Sequence, residues 1–353
     1  MLSSRQAPPD IFLRSVGIIF AQTSLDSHRA SHFRPCSVTV LRMGGQPISQ
    51  LASRTRVGDS YIWRNAHAYA PSEEDGSNMS SDPTHFAQTY WDAAAETYVR
   101  DFTGTGIGET RRYAVWRRLE KIFSPGQKLL ELNCGTGIDA VHLANRRIEL
   151  VSCDISSRMI EFARQLAAST NTSDLIDFRV LPNEEIGSLA GENVFDGAFS
   201  NFCGLNCVQD LPAVARELAR LVRPGAPILL CMMGRFVPWE IAWFMARGEP
   251  EKALRRLRRN EFRSTEPGSV CIQRPSVREM ARIMSPAFRL QRWSGVGIAV
   301  PPTYMESRTR HFSPVIKGLA GIDRLIGGLP FFRRMADCVL LEFKCTKPRK
   351  GQQ

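Results

Sequence analysis

The residues best suited to chemistry lie in a glycine-containing segment between an apolar run and a helical pattern. Its sequence is Leu130-Glu-Leu-Asn-Cys-Gly-Thr-Gly-Ile-Asp-Ala140. Glycines at such a junction allow a tight turn and a close ligand approach, and the following helix offers unpaired N–H groups. Asp154 ends the next apolar run, where a carboxylate can accept hydrogen bonds from both hydroxyls of a ribose. Together the two features predict a nucleoside site.

Glu131 separates two classes of nucleoside ligand. The spacing Gly135-x-Gly137-x-x-Ala140 also fits the dinucleotide fingerprint, which holds a pyrophosphate at a helix N-terminus. A carboxylate in the same crevice would repel a pyrophosphate, but it would attract a ligand carrying an ammonium and a sulfonium. The residues therefore favour S-adenosylmethionine. The alternatives are that Glu131 is a solvated strand-end acid and that Asp154 only caps the following helix.

The elements around these residues alternate between strands and helices. Apolar patterning predicts strands at 129–132, 148–153, 176–181, 194–200 and 227–233, with helices at 86–101, 108–123, 137–145, 158–168 and 211–222. Such alternation indicates a parallel sheet covered by helices on both faces. After residue 234 the alternation breaks, and later segments predict a helix at 277–284 and strands at 288–300 and 338–343.

Composition limits the function classes without choosing one. The 353 residues contain 46 Lys and Arg against 35 Asp and Glu, a net charge of +11, and 43% are hydrophobic. This is globular usage, which excludes a collagen-like, mucin-like or wholly disordered protein. A basic balance favours anionic partners such as nucleic acid, an acidic substrate or anionic lipid, and specifies none of them.

Cysteine usage and hydropathy predict the compartment. The nine cysteines are scattered, with no C-x-x-C pair, as expected of reduced thiols in a cytoplasmic protein. Cys203 and Cys207 form a lone pair without neighbouring histidines, so we expect no metal site. No apolar run approaches the ~18–20 residues that span a bilayer.

Residues 1–82 differ from the rest of the chain. They show no sustained period and contain the polar tract 71–78, so we predict a disordered extension, with Met79 an alternative natural start. The predicted domain spans 83–347, with 235–275 and 301–335 as lid or substrate insertions, and 348–353 form a tail.

Several motifs resemble those of class I S-adenosylmethionine-dependent methyltransferases. They are Leu129–Ala140, Asp154 and Phe195-Asp-Gly-Ala-Phe-Ser-Asn201. The helix Trp91-Asp-Ala-Ala-Ala-Glu-Thr-Tyr98 is similar to the one that precedes the core in the ubiquinone/menaquinone-type and related small-molecule branch. The resemblance covers roughly 85–345. It implies an α/β, Rossmann-like, seven-stranded sheet with an antiparallel last strand, and methyl transfer from S-adenosylmethionine (EC 2.1.1).

The resemblance also implies roles for individual residues. The methionine part of the donor would be held by Glu131, Asn133, Cys134, Gly135, Thr136 and Gly137. Asp154 would bind the ribose and Ile155 would flank the adenine. Pro182 stands where the family often has the acid that receives the adenine amino group, so Asn183 or Glu184 would substitute. Asn201 and Phe202 would face the methyl group. Asn133 replaces the family's commonest glycine, which suits asparagine's tolerance of positive φ.

The acceptor site is less defined. Phe236, Trp239 and Trp243 form an aromatic helix face, followed by arginines at 255, 256, 258 and 259. This stretch fits a lid over an apolar or aromatic acceptor, a packed helix with a solvated basic face, or an interfacial helix on anionic lipid. Tyr98 and Tyr304 are further substrate candidates. We assign no catalytic residue; the candidate bases are His85, Tyr304, Glu306 and His311.

These observations predict an enzyme that methylates an oxygen or carbon of a small, apolar or aromatic metabolite by in-line displacement. The alternatives are an RNA or protein methyltransferase and a non-catalytic binding module. Asn201-Phe-Cys-Gly204 lacks the Asn/Asp-Pro-Pro-aromatic signature of exocyclic-amine methylation, and no separate RNA-binding module is evident, so no nucleic-acid partner is expected. Contact with a membrane surface and the oligomeric state are left open.

Overall fold

The computed structural model describes residues 42–43, 46–47, 83–99, 102, 104–191, 195–265, 268–305 and 313–346. The chain divides into two units, 1–59 and 60–353. In the first, two-residue strands pair antiparallel, with Arg42 opposite Pro47. Apart from those strands, the predicted extension 1–82 and the tail 348–353 lie outside the described residues.

The second unit contains nine described strands, seven of which form one sheet. They are β1 (Lys128–Leu132), β2 (Glu149–Asp154), β3 (Ile176–Val180), β4 (Gly197–Ser200), β5 (Pro227–Met233), β6 (Asn260–Thr265), β7 (Gly268–Gln273), β8 (Phe288–Val296) and β9 (Cys338–Cys345). The sheet order is β8-β9-β5-β4-β1-β2-β3, and β6 and β7 form a separate hairpin. Strands β1 to β5 are parallel, and β9 is antiparallel to both neighbours. The predicted seven-stranded, Rossmann-like sheet with an antiparallel last strand is confirmed.

The described helices are α1 (Pro83–Tyr98), α2 (Gly106–Ile122), α3 (Ile138–Ala144), α4 (Ser157–Ser169), α5 (Leu211–Leu221), α6 (Pro238–Met245), α7 (Pro250–Leu254), α8 (Val277–Met284) and α9 (Ser313–Ile326). Hydroxyl caps fix where several begin: Thr105 accepts the N–H of Gly108 before α2, and Ser156 accepts the N–H of Met159 in α4. Within the described part of the chain, no helix combines the length and the apolar character needed to cross a membrane.

The sheet buries both faces, and strand alternation decides which side chain meets which helix. Leu130 and Leu132 of β1 pack in a core that includes Leu218 of α5 and Met280 of α8. Because successive strand residues point to opposite faces, Glu131 lies on the other face. That face is covered in part by α2, whose Val115 and Leu119 are buried. Alternation therefore turns the Glu131 carboxylate away from the larger apolar core.

The predicted strand 288–300 is too long. Strand β8 ends at Val296, and Gly297 has a φ of 74°, which breaks the extended conformation. The N–H groups of residues 297–299 instead donate to the Asp323 carboxylate of α9, at 3.0, 3.1 and 2.5 Å respectively. The end of the strand is thus fixed by the side chain of Asp323, which is distant in the sequence, and no local sequence pattern predicts it.

The segment 235–275 contains α6, α7 and the β6–β7 hairpin, which packs against α1. The charge spacing allowed a solvated basic face here, but two of the arginines are paired with buried acids instead. Arg255 and Arg256 each approach the buried Glu240 carboxylate at 2.8 Å, and Arg256 also donates to Asp337 at 2.7 Å. These buried ion pairs tie the insertion to the start of β9.

Candidate functional site

The turn between β1 and α3 is shaped by two glycines in the left-handed region. Gly135 has a φ of 54° and Gly137, the residue before α3, a φ of 74°. A Cβ on Gly137 would lie 2.6 Å from the Cβ of Ala163 and 3.0 Å from the Phe178 ring, so the turn packs tightly against α4 and β3. The N–H of Cys134 donates to the carbonyl of Cys153 at 3.0 Å, which holds the turn beside the end of β2. The backbone of this turn is therefore fixed in place.

Asp154 lies directly beside that turn. Its carboxylate accepts the N–H of Gly135 at 2.8 Å and the N–H of Ser156 at 3.0 Å, one at each oxygen. Burial raises its pKa to about 6, against the opposing effect of these backbone hydrogen bonds. Ser156 caps α4, so Asp154 is not the cap of that helix. Each carboxylate oxygen retains a lone pair that can accept a ligand hydroxyl.

Glu131 is almost completely buried, with 1% of its surface exposed. Its carboxylate accepts the hydroxyl of Ser152 at 2.7 Å. Burial raises its pKa well above the usual range for glutamate, and the negative charge of Asp139 raises it further. This position excludes the alternative of a solvated strand-end acid.

Asp139 and Arg112 form a buried pair that sequence reasoning did not single out. Oδ1 of Asp139 accepts Nη1 of Arg112 at 2.8 Å and Nε1 of Trp116 at 2.7 Å, and Oδ2 accepts the amide of Asn201 at 3.0 Å. Asp139 belongs to the motif segment, but Arg112 lies on α2 without any local signal. The arrangement brings three carboxylates to the ends of β1 and β2, those of Glu131, Asp139 and Asp154. The positive charge of Arg112 offsets the negative charge of Asp139.

An aromatic wall adjoins this acidic site. The ring of Phe102 lies 5.4 Å from that of Tyr98 and 4.9 Å from that of Phe202, measured between centroids. The Arg112 guanidinium lies over Phe202, 4.6 Å from its centroid. Phe202 has a φ of 48°, an uncommon conformation for a bulky residue and typical of functional sites. Burial also raises the pKa of the Tyr98 hydroxyl, so this group is a hydrogen-bond donor rather than a base at neutral pH.

Two buried amide oxygens of the site have no donor among the residues that the structure describes. They are Oδ1 of Asn183, after β3, and Oδ1 of Asn201, after β4. Such orphaned acceptors are rare in folded proteins, and each is suited to accept a hydrogen bond from a bound ligand. Glu184, the other candidate near the adenine, already accepts the N–H of Gln209 at 3.3 Å. Asn183 is therefore better placed to receive an amino group.

The left-handed conformation expected of Asn133 is present, with a φ of 57°. Its side chain accepts the hydroxyl of Ser200 at 3.1 Å and crowds the backbone after β4. A Cβ on Gly204 would lie 2.3 Å from the Cβ of Asn133. Asparagine at this position therefore requires glycine at 204.

Gly204→Ala is expected to lower the free energy of unfolding by about 1–3 kcal/mol, because the new methyl group overlaps Asn133. Asn133→Gly removes the obstructing side chain, so the double variant should recover most of that loss. Urea denaturation of the four proteins measures the coupling. If the changes in unfolding free energy of the two single variants simply add in the double variant, the Asn133 side chain is not what restricts residue 204 to glycine.

Ligand affinity is expected to fall by about tenfold between pH 7 and pH 5, because Asp154, with a pKa of about 6, loses its charge over this interval. The raised folded-state pKa values of Asp154 and Glu131 favour the folded, ligand-free protein as the pH falls, so the protonation of these two groups does not itself cause unfolding. Titration with S-adenosylhomocysteine at both pH values is the measurement. An Asp154→Asn variant should show a smaller pH dependence, and an equal dependence would contradict the assignment.

The other predicted site residues differ in their burial and in their distance from the glycine turn along the chain. Cys134 and Thr136 are buried in the glycine turn, and Ile155 is half-buried after β2. Phe236 and Trp239 are exposed at the start of α6, and the Trp243 ring lies against Arg247. His85 is exposed on α1. Residues 303–305 form a 3₁₀ turn, but the Tyr304 side chain, Glu306 and His311 lie outside the described part of the chain.

The sequence patterns also gave no sign of a cluster of three thiols. The sulfur atoms of Cys203, Cys231 and Cys338 lie within 4.8 Å of one another, and those of Cys203 and Cys338 are 3.5 Å apart. The residues are far apart in the chain and converge because β4, β5 and β9 are neighbours in the sheet. Cys231 and Cys338 are buried and fill space in the core as small apolar side chains.

Comparison with known proteins adds an independent observation. Residues 129–225 match the family model of a methyltransferase domain. The chain is 30% identical over 158 residues to demethylmenaquinone methyltransferase of Mycobacterium tuberculosis H37Rv, a match covering 43% of this chain and 60% of that one. It is 29% identical over 144 residues to tRNA 5-carboxymethoxyuridine methyltransferase of Escherichia coli K12, covering 40% and 54%. The match thus spans less than two thirds of these relatives.

Among solved structures, a geranyl diphosphate C-methyltransferase from Streptomyces coelicolor A3(2) is similar over 75% of this chain and 99% of its own. The sequence identity is 14% and the TM-score is 0.48.

Proposed function

We propose that this chain, which carries a class I S-adenosylmethionine-dependent methyltransferase domain, transfers a methyl group to an oxygen or carbon atom of a small, apolar or aromatic acceptor. The observation that carries the proposal is the buried Glu131 carboxylate beside Asp154 at the carboxyl ends of β1 and β2. A pyrophosphate would be repelled there. A ligand that carries an ammonium, a sulfonium and a ribose would suit the site, because its positive charges would be attracted to Glu131 and its ribose hydroxyls could donate to Asp154.

The described residues fit S-adenosylmethionine in charge and in hydrogen-bonding capacity. Glu131 and the backbone of 133–137 would hold the methionine part, and Asp154 would accept the ribose hydroxyls. Oδ1 of Asn183 is an unpaired buried acceptor suited to the adenine amino group. Oδ1 of Asn201, the second such acceptor, belongs to the residue that the family places beside the methyl group.

When bound, S-adenosylmethionine supplies a methyl group that its sulfonium already activates for in-line displacement. The contribution of this chain is therefore to position the acceptor and to exclude water. Tyr98, Phe102 and Phe202 would provide an apolar wall, and the protonated Tyr98 hydroxyl would orient a polar atom of the acceptor. Arg112 donates to Asp139 and lies over the rings of Phe102 and Phe202. It therefore fixes the position of the aromatic side chains relative to the acidic ones.

The aromatic wall supports an apolar or aromatic acceptor, and the name of the mycobacterial relative, demethylmenaquinone methyltransferase, supports the same class. A second candidate is RNA. The net charge of +11 and the name of the Escherichia coli relative, a tRNA methyltransferase, favour it. The aromatic wall and the buried position of the carboxylates favour the small molecule.

Incubation with radiolabelled S-adenosylmethionine and cell extract distinguishes these candidates. We expect label in a metabolite or lipid fraction that resists nuclease and protease, with the product identified by its mass. Label lost on nuclease treatment would assign the chain to RNA. Donor binding by calorimetry without any labelled product would instead indicate a binding module.

A further inference from the structure

We propose that helix α9 and the turn that follows it dock this protein on an anionic lipid bilayer. The docking face consists of six apolar side chains that are between 37% and 79% exposed: Val315, Ile322, Leu325, Leu329, Phe331 and Phe332. Single exposed apolar residues are ordinary on protein surfaces. Six within eighteen consecutive residues are a concentration of exposed apolar groups of the kind that marks an interaction site.

The helix has two distinct sides. One packs on the protein, where Ile316 joins a buried cluster with Ile107 of α2 and Val300. Asp323, on the same side, accepts three backbone N–H groups from residues 297–299. Val315, Ile322 and Leu325 follow at spacings of seven and three, which places them together on a second side of the helix that is exposed to solvent. The inner side therefore anchors α9, while the outer side presents the apolar docking face to solvent.

The charges around the docking face select an anionic occupant. Lys317, Arg324 and Arg334 are exposed, whereas the one acidic residue between 313 and 335, Asp323, is buried beneath the helix. Basic side chains flanking an apolar helix face with phenylalanines are typical of helices that lie in a lipid interface. A second copy of this chain would place the same basic groups against each other across a two-fold axis, which disfavours a dimer at this face.

A second exposed aromatic group lies close to the anchor of α9. Trp239, at the start of α6, donates its indole N–H to the carbonyl of Ala299 at 3.0 Å, and the N–H of Ala299 donates to Asp323. Trp239 and Phe236 are 37% and 41% exposed. Tryptophan is enriched where a protein meets the lipid headgroups. The linkage through Ala299 therefore holds the segment that follows β5 beside the residues that anchor α9.

Sedimentation of the full-length protein with vesicles tests the proposal. The vesicles contain phosphatidylcholine alone or phosphatidylcholine with one quarter phosphatidylglycerol. We expect binding to the anionic vesicles, and at least about tenfold weaker binding for Leu325→Ser/Phe331→Ser, which removes two of the apolar groups that enter the bilayer. Arg324→Glu/Arg334→Glu should lose the preference for phosphatidylglycerol.

Phe262→Ser is the matched control, because Phe262 is 78% exposed on the β6–β7 hairpin and lies outside the docking face. Its binding should stay within about twofold of wild type. The proposal is overturned if wild type ignores both vesicles, or if Leu325→Ser/Phe331→Ser binds as well as wild type does. It is also overturned if ultracentrifugation shows a vesicle-independent dimer that this variant converts to a monomer. None of these outcomes depends on methyl transfer.

Discussion

Glu131→Gln is expected to weaken the binding of S-adenosylmethionine by roughly a hundredfold to a thousandfold. The substitution keeps the shape of the side chain and its hydrogen bond from Ser152, and it removes the buried carboxylate charge that the proposal assigns to the cationic ligand. Losing one partner of a buried, hydrogen-bonded charge pair costs about 2–5 kcal/mol of binding free energy. Calorimetric titration of the purified variant gives the affinity directly.

Stability distinguishes this role from a structural one. Burial and the nearby Asp139 already disfavour the ionised Glu131, so Glu131→Gln should leave the ligand-free protein as stable as wild type or more so. Glu149→Gln, at the exposed start of β2, is the matched control and should change neither affinity nor stability. Wild-type affinity in Glu131→Gln would contradict the assignment, as would weaker binding accompanied by an equal loss of stability.

Arg112→Met should lower the free energy of unfolding by about 3–5 kcal/mol, the usual cost of leaving a buried charge unpaired. Arg112 donates to Asp139 at 2.8 Å and lies over the rings of Phe102 and Phe202. The variant therefore loses a charge partner and two ring contacts. Urea denaturation of the ligand-free protein is the measurement.

Arg158→Met is the matched control. Arg158 pairs with Glu161 and Glu96 on the surface, where solvent screening leaves such pairs with little effect on stability. Adding Asp139→Asn to Arg112→Met should recover part of the lost stability, because it removes the stranded carboxylate. Equal losses for Arg112→Met and Arg158→Met would mean that the buried pair contributes no more than a surface pair.

The sheet was predictable because its signals are local. Apolar runs and the glycine turn identify β1 to β5, and the resemblance supplies the antiparallel last strand. The positions of Glu131 and Asp154 follow from the same signals, since Glu131 lies within β1 and Asp154 ends β2, two strands that the apolar pattern predicts. The left-handed Asn133 was likewise predictable from asparagine's tolerance of that conformation.

The rest depends on convergence of distant segments, which no local pattern encodes. Arg112 reaches Asp139 across 27 positions of the chain, and Gly204 is constrained by the side chain of Asn133. The end of β8 is set by Asp323 of α9. A solvated arginine face after α6 was one of the alternatives that the charge spacing left open, whereas Arg256 is held by two buried acids. In each case the partner that decides the conformation lies in another element.

In the function proposed above, the crevice at the ends of β1 and β2 accommodates a cationic nucleoside and has no place for phosphates. Calorimetric titration of the full-length protein with S-adenosylmethionine and, separately, with NAD tests it most directly. We expect saturable binding of S-adenosylmethionine and no heat of binding with NAD. Saturable binding of NAD, with S-adenosylmethionine ignored, would contradict it.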